Sequence, residues 1–155
     1  VDRKTASLFS AGCRLAAGLA GCSSEQCQAM ADFGRHLGVA FQVTDDALDY
    51  GHGDETYGKN LGDDLAEGKP TLPLIYAIQH GAPQHADLIK SSIRGGLDHL
   101  SEIVDIVRDC GGLSYTIERA AEHTERALDA LSSVPESPYK DALRRLAEES
   151  LQRTY

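Results

Sequence analysis

Residues 23–50 read SSEQCQAMADFGRHLGVAFQVTDDALDY, and this stretch decides the fold. Ser23 and Gln26 stand three residues apart at its head, the spacing of a capping box in which side chain and backbone satisfy each other's orphan groups. No proline interrupts residues 27–50, and Met30, Phe33, Leu37, Ala40, Val43 and Ala47 recur at three- and four-residue steps, the period of one apolar helical face. The pattern predicts a helix running to about Tyr50, which at about 1.5 Å per residue approaches ~40 Å.

Outward from it the punctuation stays helical. Thr5 to Leu19 reads as a helix closed by Gly21. Gly51 to Gly68 is a loop with five glycines, after which Pro70 is expected in the first turn of a helix through Leu72 to Gln79 that ends at Gly81. Shorter helices are expected over Gln84 to Ser92 and Leu97 to Cys110, the latter stopped by Gly111-Gly112. Two amphipathic helices close the chain, Leu113 to Ser132 and Pro138 to Arg153, with Ser137 and Pro138 as an N-cap and first-position pair. Alternating β-branched runs are absent, so the expected fold class is all-α, a helical bundle, with residues 1–155 as a single domain.

Composition is that of a globular chain: 155 residues, 41% apolar and 25% charged, with no apolar stretch near the roughly 18 residues of a membrane span. Net charge is −9 and the longest basic cluster is Arg144-Arg145, which argues against a nucleic-acid partner, since phosphate affinity rests on Lys and Arg. Cys13, Cys22, Cys27 and Cys110 form no C-x-x-C pair and have no His at zinc spacing, so they read as buried, reduced thiols. Val1 to Thr5 carries no apolar secretion segment, and the expected compartment is the cytoplasm. The six His read as surface or packing residues.

Chemistry concentrates at the end of the long helix. Gln42, Asp45, Asp46 and Asp49 fall at i, i+3, i+4 and i+7, one face of a helix. Like charges at i and i+4 repel, and aspartate is a poor helix former, so three in five residues are hard to explain by stability. An oxygen-only donor set selects hard cations, and Mg²⁺ in particular shares one or two carboxylates with substrate phosphates. The loop after the helix offers Lys59 and Lys69, flanked by glycines, as phosphate partners. The bland alternative is a solvated acidic face.

Two look-alikes fail. Gly53 to Asn60 approaches a P-loop, but Asn60 replaces the hydroxyl residue that holds Mg²⁺, a helix precedes it, and Asp54 and Glu55 would repel a phosphate. Asp45 to Gly51 approaches the start of an EF-hand loop, but Ala47, Tyr50 and Thr56 occupy positions three, six and twelve, which need a ligand, a glycine and a glutamate.

Phe41 to Tyr50, Gly58 to Leu65 and Gly68 to Ile75 together resemble the second aspartate-rich region of the trans-polyprenyl diphosphate synthases, and Lys4-Thr5-Ala6-Ser7 resembles that family's Lys-Thr motif. The likeness is strongest to the bacterial long-chain branch, the octaprenyl-forming enzymes above all. It implies an incomplete bundle of the isoprenoid synthase type, here the C-terminal half. The enzymes are homodimers that condense an allylic diphosphate, such as farnesyl diphosphate, with isopentenyl diphosphate, to long all-trans chains used as quinone side chains. The resemblance also implies Mg²⁺ ligation by Asp45 and Asp49 with Asp46 in support. Lys4, Lys59 and Lys69 would hold the diphosphate, and Lys4, Thr5 and Gln42 would be catalytic, Thr5 and Gln42 lining the reacting carbon. The family's first aspartate-rich motif and its isopentenyl diphosphate site are missing, so the chain is expected to be inactive alone and to expose apolar surface that a second copy or polypeptide covers. A rival reading is a non-catalytic helical partner subunit; the joint presence of Asp45, Asp46, Asp49, Lys59 and Gln42 argues against it.

Overall fold

The structure, a computed structural model, describes residues 5–51, 62–95 and 98–152, and among these there is no strand. The described residues form eight α-helices: α1 Ser7–Leu19, α2 Ser24–Leu48, α3 Asp63–Ala66, α4 Leu72–His80, α5 Pro83–Gly95, α6 Leu100–Asp109, α7 Gly112–Ala130 and α8 Pro138–Gln152. The all-α expectation is met. The capping box at the head of α2 forms as read: the Ser23 N–H donates to Gln26 Oε1 at 3.0 Å and the Gln26 N–H to Ser23 Oγ at 3.2 Å. Ser137 caps α8 by a single bond, its hydroxyl accepting the Lys140 N–H at 3.2 Å.

Three local expectations are corrected. Pro70 lies outside α4, whose N-cap is Thr71 in extended backbone; the proline in the first turn is Pro73, where a missing N–H costs nothing. The Gly51–Gly68 segment contains the short helix α3. The cysteines are free, as read, but none is buried: Cys22 is exposed and Cys13, Cys27 and Cys110 are intermediate.

The chain divides into two compact units, Val1–Thr44 with Arg119–Arg153, and Asp45–Glu118. In the first, α2 buries Phe33, Leu37 and Ala40 as its period requires, and Phe33 and Leu37 pack with Ala127, Leu131 and Ala147. Gly34 lets α1 approach: a Cβ there would stand 2.5 Å from the Phe9 carbonyl oxygen and 2.9 Å from Cys13 Sγ. Since a backbone atom cannot swing aside, Gly34→Ala should cost about 1–3 kcal/mol of overpacking strain, measured as a lower urea midpoint. α1 also carries Leu8, Leu15 and Leu19 at 72%, 67% and 90% exposure.

His36 on α2 and His123 on α7 meet Nδ1 to Nδ1 at 3.0 Å, a pairing that periodicity did not reveal. One ring must donate and the other accept, so the pair cannot carry a proton on both facing nitrogens. Burial first, then Arg126 and Arg35, lowers the His36 pKa, with Asp32 opposing; burial, His36, Arg126 and Arg35 lower that of His123, with Glu122 opposing. Because the folded values lie below the unfolded ones, the unfolded chain binds more protons and stability falls as pH drops through and below about 6.5. The melting temperature should decline on that descent, and His123→Gln should flatten the decline.

The second unit packs Tyr50, Leu65, Leu74, Ile89, Ile103 and Val107 into one core, each at most 1% exposed. At Gly62 φ is +82°, and a Cβ would run into the Leu100 side chain, so the turn entering α3 excludes larger residues.

Candidate metal and diphosphate site

α2 ends at Leu48, so Asp45 and Asp46 occupy its last turn and Asp49 comes directly after it, with no basic residue in that turn. A helix C-terminus carries partial negative charge, which makes this the adverse end for carboxylates. Two of the three are compensated by the positive ends of later helices. Asp49, 1% exposed, accepts the Asp64 N–H of α3 on Oδ2 at 2.9 Å, and its main-chain carbonyl accepts the Gly62 N–H at 3.1 Å. Asp46, 6% exposed, accepts the Leu72 N–H at the start of α4 on Oδ2, at a long 3.5 Å. Asp45 is half-buried on the same turn.

The surroundings are strongly acidic. Tyr50 is fully buried, and its phenol is pushed well above the ordinary tyrosine range, first by burial and then by Asp49, Asp64 and Asp46, with the Thr71 hydroxyl opposing. Lys69 Nζ lies 2.5 Å from Glu67 Oε2 and 3.1 Å from Asp64 Oδ1, and those two hydrogen bonds hold it protonated well above the ordinary lysine range. Thr5 and Gln42 are brought together, the Thr5 hydroxyl donating to Gln42 Oε1 at 3.1 Å. Lys4 and Lys59 lie outside the described residues.

Among the described residues no group of three or more His, Cys, Asp or Glu side chains is arranged to hold a metal ion by itself. The donor chemistry still fits Mg²⁺. All three candidates offer carboxylate oxygen, and each of Asp46 and Asp49 has a second oxygen beyond the one given to a backbone N–H. Mg²⁺ is rarely caged by protein alone and takes its remaining oxygens from water and phosphate. Sequence reading missed the capping roles of Asp46 and Asp49 and the part played by Asp64. The available signal was Gly62-Asp63-Asp64, a glycine preceding acids in a first helical turn.

The family model for polyprenyl synthetases matches residues 1–110, and the chain belongs to that family. It is similar to the octaprenyl diphosphate synthase of Escherichia coli K12, 45% identical over 152 residues, covering 97% of this chain and 47% of that protein. It is 48% identical to an all-trans-nonaprenyl-diphosphate synthase of Rhodobacter capsulatus described as geranyl-diphosphate specific, over 99% of this chain and 47% of that one. Among solved structures, the Caulobacter crescentus polyprenyl synthase complexed with calcium and isoprenyl diphosphate superposes with a TM-score of 0.91 at 37% identity, covering 100% of this chain and 48% of that one. A decaprenyl diphosphate synthase from Rhodobacter capsulatus gives 0.88 at 33% identity, over 98% and 48%. The chain spans about half the length of the curated relatives it matches. No helix among the described residues is long and apolar enough to cross a membrane.

Proposed function

We propose that these 155 residues form one polyprenyl synthase domain carrying the second aspartate-rich half of the site of a Mg²⁺-dependent trans-prenyltransferase. In this reading the whole enzyme elongates an allylic diphosphate, such as farnesyl diphosphate, with isopentenyl diphosphate to a long all-trans polyprenyl diphosphate for quinone side chains. It works as a homodimer in the cytoplasm. The observation that supports the proposal is the gathering of three carboxylates at the negative end of a 25-residue helix, an accumulation of like charge that backbone N–H groups offset at Asp46 and Asp49 and that a cation would offset further.

Asp45 is the foremost ligand, with Asp49 and Asp46 lending their second oxygens. When bound, Mg²⁺ neutralises charge on the departing diphosphate. Lys4, Lys59 and Lys69 are assigned to the diphosphate oxygens. The Thr5 hydroxyl donates to the Gln42 side-chain carbonyl, and in this reading both residues, with Lys4, are assigned to catalysis at the reacting carbon. No nucleophilic side chain is required, because the isopentenyl double bond attacks the allylic carbon as the C–O bond to diphosphate breaks. The proton is then lost from the resulting cation. Calorimetry tests the core of the reading: Mg²⁺ alone should bind weakly, and inorganic pyrophosphate should bind tightly only with Mg²⁺ present. Equal pyrophosphate binding with and without the metal would refute it.

A further inference from the structure

We propose that Asp64 is a positioning residue that presents Lys69 to the diphosphate, linking it to the aspartate cluster through Asp49; the proposal rests on the functional reading above. Three contacts place Asp64 between the two. Its N–H donates to the Asp49 carboxylate at 2.9 Å, its main-chain carbonyl accepts the Lys69 N–H at 2.9 Å, and its Oδ1 accepts from Lys69 Nζ at 3.1 Å. Asp49 is 1% exposed, so the anchor at the far end of this chain of contacts is fixed.

The geometry separates Asp64 from the other partner of Lys69. The Asp64 side chain is 15% exposed and held at both ends of its own residue, whereas that of Glu67 is 63% exposed, although its contact with Nζ is the shorter. Exposed partners of this kind contribute little, since water screens them and holding two long side chains costs entropy. Asp64 therefore sets where the ammonium stands, and Glu67 adjusts to it. An ammonium has three N–H donors; these acceptors use two, which leaves one for a ligand oxygen without breaking the pair. Lys69 is 54% exposed and long, so without its tether a ligand would bear the cost of ordering it.

The test is a double-mutant cycle read by calorimetry with inorganic pyrophosphate and Mg²⁺ on the whole chain, circular dichroism confirming that each variant is folded. Lys69→Ala should weaken pyrophosphate about tenfold, and Asp64→Ala about fivefold, as expected when one rotamer-rich side chain loses its ordering. Asp64→Asn, which keeps the acceptor and loses the charge, should recover part of the loss, and Glu67→Ala should change affinity less than about twofold. The signature of positioning is the double variant: once Lys69 is gone, removing Asp64 should have no further effect. If the two losses multiply, or if Asp64→Ala tightens binding, Asp64 does not act through Lys69 and the inference falls alone. If the unaltered chain shows no Mg²⁺-dependent pyrophosphate binding, the functional reading falls and takes this inference with it.

Discussion

Asp45→Ala should abolish most of the coupling between Mg²⁺ and pyrophosphate, weakening pyrophosphate about a hundredfold in the presence of the metal, or about 2.8 kcal/mol, while leaving the chain folded. The size comes from removing one partner of a close charge interaction, which typically costs about 2–5 kcal/mol, much of it from leaving the opposing charge uncompensated. The helix explains the intact fold. Alanine is the better helix former, and its presence at position 45 removes a negative charge from the adverse end of α2. Asp46→Ala and Asp49→Ala should behave differently, because each also strips an acceptor from a backbone N–H at the start of α4 or α3. A lost cap costs typically about 1 kcal/mol, so these two variants should lower the melting temperature as well as the affinity. Calorimetry and thermal melts on the three variants distinguish the roles. An Asp45→Ala chain that binds pyrophosphate and Mg²⁺ as the original does would remove Asp45 from the metal.

That contrast also marks how much of the site the sequence disclosed. The stripe Gln42, Asp45, Asp46 and Asp49 was legible because helical period alone puts the four on one face, and helix α2 was legible from Ser23, Gln26 and the apolar period. What period cannot show is which distant backbone a carboxylate meets. Asp49 reaches Asp64 fifteen residues on, Asp46 reaches Leu72 twenty-six on, and His36 reaches His123 eighty-seven on. Each is a tertiary contact that the period of one helix does not predict, even where, as at Gly62-Asp63-Asp64, the start of the partner helix can be read. The same limit misplaced the proline of α4, since Pro70 and Pro73 both satisfy the rule for a first turn and only packing chooses between them. Lys140 is a further case: 2% exposed, it donates to the Val134 carbonyl at 2.6 Å and to Glu136 at 2.7 Å, an arrangement that its place on an amphipathic helix does not announce.

The second large effect is on catalysis. The 155-residue chain incubated with farnesyl diphosphate, radiolabelled isopentenyl diphosphate and Mg²⁺ should give no extended prenyl product. Its sequence holds one Asp-Asp-x-x-Asp cluster, Asp45 to Asp49, and the family resemblance implies a leaving diphosphate held between two such clusters on facing helices. Charge that builds on a leaving group must be met where it develops, and removing even one preorganised donor from such a site costs about 10²–10³ in rate. Loss of a whole ligand set should exceed that, at about 1.36 kcal/mol for every tenfold. The resemblance also implies an acceptor pocket of basic residues outside the motifs found here, and coupling without it should lose the orientation that makes it effectively unimolecular. Pyrophosphate binding and elongation should therefore part company, the first retained and the second absent. Supplying a polypeptide that carries the first aspartate-rich motif should restore product if the pieces fold together, and Asp45→Ala should prevent the rescue. Clear turnover by the 155 residues unaided would show that one carboxylate cluster suffices to release the diphosphate, and would overturn the two-sided site on which this expectation stands.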